Sequence, residues 1–496
     1  MNIVLIYPRF PDTFWNHSHA LKILGRKSAF PPLGLLTVAA MLPDDWQLRV
    51  VDLNVRELSA ADLAWADMAF VSAMIVQRDS AVEAIELCHH KGLRVVAGGP
   101  LFANEHHKFD LVDHFVLGEA EVSLEPFLHD LASGTPERIY HPKGYADLSQ
   151  SPIPRWDLVR LDDYASLGVQ FSRGCPHACE FCNVTTLFGH RPRTKKVSQV
   201  LAELAYLYRL GWRGNMFFVD DNLMANKRIT KQELLPALIK WRQGKKSVPF
   251  NTQVTIDLVD DEEALRLMRK AGFTQVFVGI ETPDELCLAE SNKPQNCHRD
   301  MVKDVRKLHS YGIQVQAGFI VGFDGDTPSI FQRQVEFIQQ SGILSAMVTM
   351  LHALPGTELY ARLKREGRII DVKKGGDGRI SFTNILTKMD PELLRQGYWQ
   401  IIQQIYSASS YYQRLKSFLR DYTPPEVGVP LSARNCAAGL RSIYQLGIRD
   451  KQRRHFWGLL AWTLWHRPTM LTRATVMAVA GYHYRLVEEF QDAGIH

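Results

Sequence analysis

Ser172-Arg-Gly-Cys-Pro-His-Ala-Cys-Glu-Phe-Cys-Asn183 decides the reading of this chain. It sets Cys175, Cys179 and Cys182 in a Cys-x3-Cys-x2-Cys spacing, in one loop directly after the apolar run Leu167–Phe171. Three thiolates this close together suit a soft metal centre and need no distant partner. A [4Fe–4S] cluster held by three cysteines keeps one iron open, where a substrate-like ligand can chelate. Gly174 and Pro176 suit a loop that folds back around a cluster, and Phe181 can shield one side from water. The other four of the seven cysteines are scattered, which sets these three apart.

Two further readings stand beside the cluster. Structural zinc would want a fourth ligand, which His177 or His190 could supply, although zinc pairs usually sit as C-x2-C or C-x4-C with a distant second pair. Three buried structural thiols are the other, because free cysteine is often buried.

The spacing, after a strand and with an aromatic just before the last cysteine, resembles the radical S-adenosylmethionine (SAM) superfamily. That resemblance implies chelation of the open iron by the amine and carboxylate of SAM. It also implies cleavage of SAM to a 5′-deoxyadenosyl radical that takes hydrogen from an unactivated carbon.

A length of 496 residues predicts two or three domains. Hydrophobic content of 46% and charged content of 22% are ordinary for a globular protein. Met1–Tyr7 has no basic start and runs into Pro8, so no cleavable signal is expected. Seven cysteines, an odd number, argue against a disulfide framework and for a reducing cytoplasm. No repeat and no basic–aromatic nucleic-acid pattern stands out, so no nucleic-acid partner is expected.

Residues 1–120 alternate apolar runs with helical patterns. The runs Ile3–Tyr7, Leu48–Leu53, Met68–Ala73, Leu93–Ala97 and His114–Leu117 have the length of buried parallel strands, which predicts a doubly wound, Rossmann-like α/β sheet. Pro8-Arg9, Ser72 to Gln77 and Gly98-Gly99-Pro100 fall at strand carboxyl ends, where such sheets bind ligands. The paired glycines read equally well as a ligand approach or as a tight turn. This part resembles the cobalamin (B12)-binding domain that precedes the barrel in one radical SAM subgroup, which implies Ser72, Gly98 and Gly99 as cobalamin-binding. The usual Asp-x-His-x-x-Gly is missing; its place reads Pro8-Arg-Phe-Pro-Asp-Thr13. Residues 121–166, with Pro142, Pro152 and Pro154, read as a linker.

Residues 167–370 repeat strand and helix six times, counting the strand before Cys175. Runs at Met216–Val219, Phe250–Ile256, Gln275–Gly279, Val315–Val321 and Ala346–Leu351 predict a partial (β/α)6 barrel with chemistry at its carboxyl ends. The resemblance assigns SAM binding there to Asp220, Asp221, Asn222, Gln253, Glu281, Gly318 and Gly322, with Asn251 and Thr255 as further candidates. Without it, Asp220 and Asp221 would read as helix caps before Ile229 or as solvated loop charge.

Residues 371–496 read as mostly helical, including one helix over Pro391–Leu419. From 434 to 496 nine Lys or Arg stand against four Asp or Glu. The run Phe456–Trp465, flanked by Arg453-Arg454 and Arg467, is too short to span a bilayer. It suits either a membrane interface or a core helix. This region resembles that of cobalamin-type radical SAM proteins related to bacterial hopanoid methylases.

The resemblance thus implies a cobalamin-dependent C-methyltransferase with a [4Fe–4S] cluster, SAM and cobalamin as cofactors. It further implies a small-molecule substrate, lipid-like or other, and a flavodoxin- or ferredoxin-type electron donor. The cysteine usage points to a cytoplasmic enzyme, and the basic, Trp-rich C-terminal stretch to peripheral contact at the inner face of the membrane and to a lipid substrate. A radical SAM enzyme that couples, cyclises or rearranges its substrate without methyl transfer is the second reading, and a non-catalytic metal module the third.

Overall fold

The computed structural model describes residues 1–12, 16–245, 248–370, 383–424 and 433–492, so Thr13, Pro425 and the stretch 371–382 lie outside the described residues. The chain forms two compact units, one of residues 1–12, 26–174 and 186–212, the other of 13–25, 175–185 and 213–496.

In the first unit β1 (Asn2–Tyr7), β2 (Gln47–Asp52), β3 (Met68–Ser72), β4 (Arg94–Gly98), β5 (His114–Val116) and β6 (Ile139–Tyr140) form a parallel sheet in the order β2-β1-β3-β4-β5-β6. Side-chain alternation covers both faces: Ile3 and Leu5 pack with Leu35 and Phe127, and Val4 and Ile6 with Ile85 and Phe102. The strand order reverses between β1 and β3, so the ligand crevice of a doubly wound sheet falls at their carboxyl ends.

The linker expected over 121–166 instead contributes a helix, Ala120–Ala132, and the sixth strand. The helix buries only Ser123, Leu124 and Phe127 and carries Pro126 inside it, while β6 spans two residues, so neither leaves a periodic pattern. The unit also holds β7 (Ser166–Val169), fully buried, and the antiparallel pair β8 (Ser172–Arg173) and β9 (Arg193–Thr194). Arg173 donates to Glu119 and Glu121 at 2.8 Å, and Arg193 to Glu119 at 2.9 Å. These buried pairs fix the strand that feeds the cysteine loop.

In the second unit β10 (Asn215–Phe218), β11 (Phe250–Val254), β12 (Phe273–Glu281), β13 (Gln314–Val321) and β14 (Ser345–Met350) lie parallel in sequence order. Helices Leu235–Arg242, Glu262–Ala271, Met301–Ser310 and Ser329–Ser341 connect them. Glu262–Ala271 begins at Asp261, whose side chain accepts from Ala264 N–H, and ends at Gly272 in the left-handed region.

The helix expected over Pro391–Leu419 divides at Ser407 into Pro391–Tyr406 and Ala408–Asp421, because the Ser407 hydroxyl caps the second at Ser410 N–H. Helices Ala433–Ser442, Arg453–His466 and Leu471–Asp492 follow, with a π-helix at Ile443–Arg449. Among the described residues no helix is long and apolar enough to cross a membrane.

Candidate active site

The cysteine loop is tied down by its backbone. Cys182 N–H donates to the Cys179 carbonyl at 3.0 Å, Glu180 N–H to the Ser291 carbonyl at 3.0 Å, and Asn292 Nδ2 to the Ala178 carbonyl at 2.8 Å. Cys175, Cys179 and Cys182 are free thiols, each half-buried. Burial pushes the Cys182 thiol up to about 11 and also raises Cys175; in both the charge of neighbouring loop cysteines adds to the rise. Three grouped thiols, of which Cys175 and Cys182 resist ionising on their own, fit a centre whose irons supply the missing positive charge. Among the described residues no three His, Cys, Asp or Glu side chains converge tightly enough for a single ion. A cluster binds each thiolate to a different iron and asks for a looser grouping.

Glu281 ends β12 at a register shift, with φ of 64°, a region few non-glycine residues occupy. Its buried carboxylate meets Lys293 Nζ at 2.5 Å. Lys293 follows the helix Glu285–Glu290 and is itself buried. Burial works against its charge, but Glu281, and after it Cys179 and Cys182, hold the ammonium above its ordinary range. A Cβ on Gly279 would stand 2.2 Å from Glu281 Oε1 and 2.7 Å from Lys293 Nζ, so glycine makes room for this pair. Gly318 on β13 faces the same carboxylate: a Cβ there would lie 3.7 Å from Glu281 Oε2. Sequence reading named Glu281 and Gly318 and missed Lys293, whose only trace was a lysine closely following a short helix.

Asp220, Asp221 and Asn222 follow β10. Asp220 is fully buried, and Asp221 is half-buried with its charge felt at Cys175. Asn222 shapes the turn: its Oδ1 accepts from Met224 N–H at 3.1 Å and its Nδ2 donates to Thr255 Oγ1 at 3.4 Å. The cap of the short helix Lys227–Ile229 is Asn226, which leaves the two aspartates outside that role. Gln253 is half-buried near the end of β11, and its carbonyl accepts from Leu223 N–H. Asn251 lies near the amino end of β11, against Asn215 at 2.7 Å, and so stands apart from the carboxyl-end group.

Gly322 follows β13 with φ of 100°. Asp326 accepts from Gly322 N–H at 2.7 Å and Phe323 N–H at 3.0 Å and so fixes the turn. Burial pushes this carboxyl up to about 6, against the two donors that favour its charge. The turn borders a cavity of about 280 Å³ between the cysteine loop and the strand ends. Phe181, Phe323, Leu351 and Ile385 give it an apolar wall, and Arg362 and Lys388 lie at its polar side. Arg362 is held by Glu180 of the loop at 2.6 Å.

In the first unit Ser72, Gly98 and Gly99 come together at the ends of β3 and β4. A Cβ on Gly98 would meet the Val116 carbonyl at 2.8 Å, and one on Gly99 would meet Ser72 Oγ at 2.9 Å. Protein atoms therefore account for both glycines, with Gly99 also at φ of 93°. At the β1/β3 crevice Met74, Ile75 and Val76 are all exposed. The turn that presents them is locked: Gln77 Oε1 accepts from Met74 N–H at 2.8 Å, and Gln77 Nε2 donates to the Pro8 carbonyl. Arg9, second residue of the stretch that stands in place of the subgroup's usual motif, is held by Glu57 and the Leu53 carbonyl. The crevice thus offers a flat ligand an apolar face and, from the end of β1, no histidine.

Three family profiles match the chain: B12 binding domain over residues 23–128, Radical SAM superfamily over 169–338, and a domain of unknown function over 357–495. An uncharacterized methyltransferase of Synechocystis sp. PCC 6803 is 38% identical, over 98% of this chain and 91% of that protein. The hopanoid C-2 methylase of Rhodopseudomonas palustris is 34% identical, over 92% and 88%. Among solved structures, the cobalamin-dependent radical SAM enzyme OxsB aligns with a TM-score of 0.63 at 14% identity, over 99% of this chain and 80% of that one. The radical SAM methyltransferase TsrM from Kitasatospora setae aligns at 0.59 and 15%, over 96% and 99%. At that identity the two structures speak for the fold.

The chain belongs to the radical SAM superfamily, in the group of methyltransferases that carries a B12-binding domain ahead of the barrel. It is an enzyme, and its cofactors are a [4Fe–4S] cluster, SAM and cobalamin. A small-molecule substrate accords with that class.

Proposed function

We propose that the enzyme methylates an unactivated carbon of a lipid-like small molecule, working at a membrane surface with electrons from a flavodoxin- or ferredoxin-type donor. The observation that carries the active-site assignment is the grouping of three free loop thiols with the buried Glu281–Lys293 pair, whose lysine feels the charge of Cys179 and Cys182. The lipid-like substrate is supported by the 34% identical relative, named for a hopanoid. When bound, the three cofactors together supply a hydrogen-abstracting radical and a transferable methyl group.

The chain's own residues bind and shield. Cys175, Cys179 and Cys182 would hold the cluster, and Lys293 sets a positive charge beside it. Glu281 and Lys293 offer SAM, which carries both an ammonium and a carboxylate, one partner of each sign. Asp220, Asp221, Asn222 and Gln253 would complete the polar side, and Gly318 and Gly322 would border it on the β13 side, where Phe277 and Leu394 stand 3.1 Å from the places their Cβ atoms would take. The apolar wall of the cavity, Phe181, Phe323 and Ile385, would take the adenine ring. Met74, Ile75 and Val76, with Ser72, Gly98 and Gly99 behind them, would form the cobalamin seat.

Anaerobic reconstitution with iron and sulfide, followed by titration with SAM, tests the assignment. A brown protein with a full [4Fe–4S] complement that releases 5′-deoxyadenosine on reduction is expected. A colourless protein carrying zinc would overturn it.

A further inference from the structure

The helix Arg453–His466 is apolar on two opposite faces. Phe456, Leu459 and Thr463, three and four residues apart, are buried where the helix packs on Ala408–Asp421 and Leu471–Asp492. Trp457, Ala461, Leu464 and Trp465 line the opposite face and are exposed, Leu464 by 62% and Trp465 by 86%. The Trp457 indole donates to the Gly447 carbonyl at 2.9 Å, which ties this face to the π-helix, where Tyr444 and Ile448 are exposed too. A contiguous apolar surface of this kind marks a partner.

The exposed charge described just before and at the start of this helix is basic. Arg449, Lys451, Arg453 and Arg454 are exposed. Among the side chains described from residue 436 onward, Asp450 is the only acid, and it is buried in a pair with Arg485. Exposed Trp and Leu rimmed by arginines match the interfacial layer of a bilayer, where indoles settle at the headgroups and cations meet anionic lipid. A second copy of the chain would set the same cations against themselves.

We infer that this face docks the protein onto an anionic lipid surface. The inference rests on the lipid-like substrate reading for its purpose, but its test needs no turnover, so either can fail without the other.

The test is co-sedimentation of the full chain with phosphatidylcholine vesicles, with and without phosphatidylglycerol, at low and high salt. Binding is expected only with phosphatidylglycerol present and should fall as salt rises, since surface charges are screened within about 10 Å at 0.1 M. Leu464→Ser with Trp465→Ser, and separately Arg453→Glu with Arg454→Glu, should each lower partitioning about tenfold or more at unchanged Tm and iron content. Absence of binding at low salt, or equal binding by wild type and both variants, would overturn the inference. So would a lipid-independent dimer that the Trp465 variant dissociates, which would give the face to a second copy.

Discussion

Lys293 Nζ stands 2.5 Å from Glu281 Oε1 across a span of twelve residues, with both side chains buried. The pair is compensated internally, and removing one member leaves a charge stranded. Lys293→Met is therefore expected to destabilise the fold by about 3–5 kcal/mol. Adding Glu281→Gln should recover most of that loss. Neither variant should bind SAM, because the first lacks one ionic partner and the second lacks both. Denaturant unfolding and equilibrium SAM binding check this; wild-type SAM affinity in the double variant would make the pair purely structural.

Replacing Cys175, Cys179 or Cys182 with Ala should abolish cluster assembly and SAM cleavage. Cys88, Cys287, Cys297 and Cys436 should be dispensable for the cluster. Iron and sulfide analysis of each variant is the measurement, and a full complement in Cys179→Ala would refute the ligand set.

The cysteine motif and most strands were legible because their signals are local: a fixed spacing in the first case, a short β-rich run bounded by turns in the second. Lys293 was not, since its role depends on the loop after one helix folding back onto a strand end. Gly98 and Gly99 could be read as a ligand approach, but Val116 and Ser72 already fill the space a Cβ would take. The Trp-rich helix fitted either a core or an interface, and it has one buried face and one exposed apolar face, a distinction that composition cannot carry.

For cobalamin, the packing at Gly99 makes a bulky residue there a test of folding. The exposed turn is a cleaner place. Ile75→Asp should cost little stability, because the side chain is already solvent-accessible. It should lower hydroxocobalamin retention about tenfold or more, by placing a charge on an apolar seat, with iron content unchanged. Visible absorption of the reconstituted protein reads this out. Undiminished cobalamin would move the seat elsewhere.

Asp326 gives a pH signature. Its folded value of about 6 lies above the ordinary 3.8, so the folded state favours the acid. The resulting stabilisation is complete below about pH 4 and is lost as pH rises through about 6, by at most about 3 kcal/mol. Asp326→Asn keeps an acceptor for Gly322 and Phe323 and cannot ionise. Unfolding midpoints across that window should fall with pH more steeply in wild type than in the variant; parallel curves would refute the assignment.

The central claim is methyl transfer to carbon, and one measurement meets it directly. Reconstituted protein is supplied anaerobically with cobalamin, reductant, a lipid extract and SAM deuterated at its methyl group, and the products are read by mass spectrometry. The account predicts a lipid carrying one added deuterated methyl group, together with 5′-deoxyadenosine and S-adenosylhomocysteine. Formation of 5′-deoxyadenosine with a product that has lost hydrogen, rearranged or coupled and carries no label would contradict it.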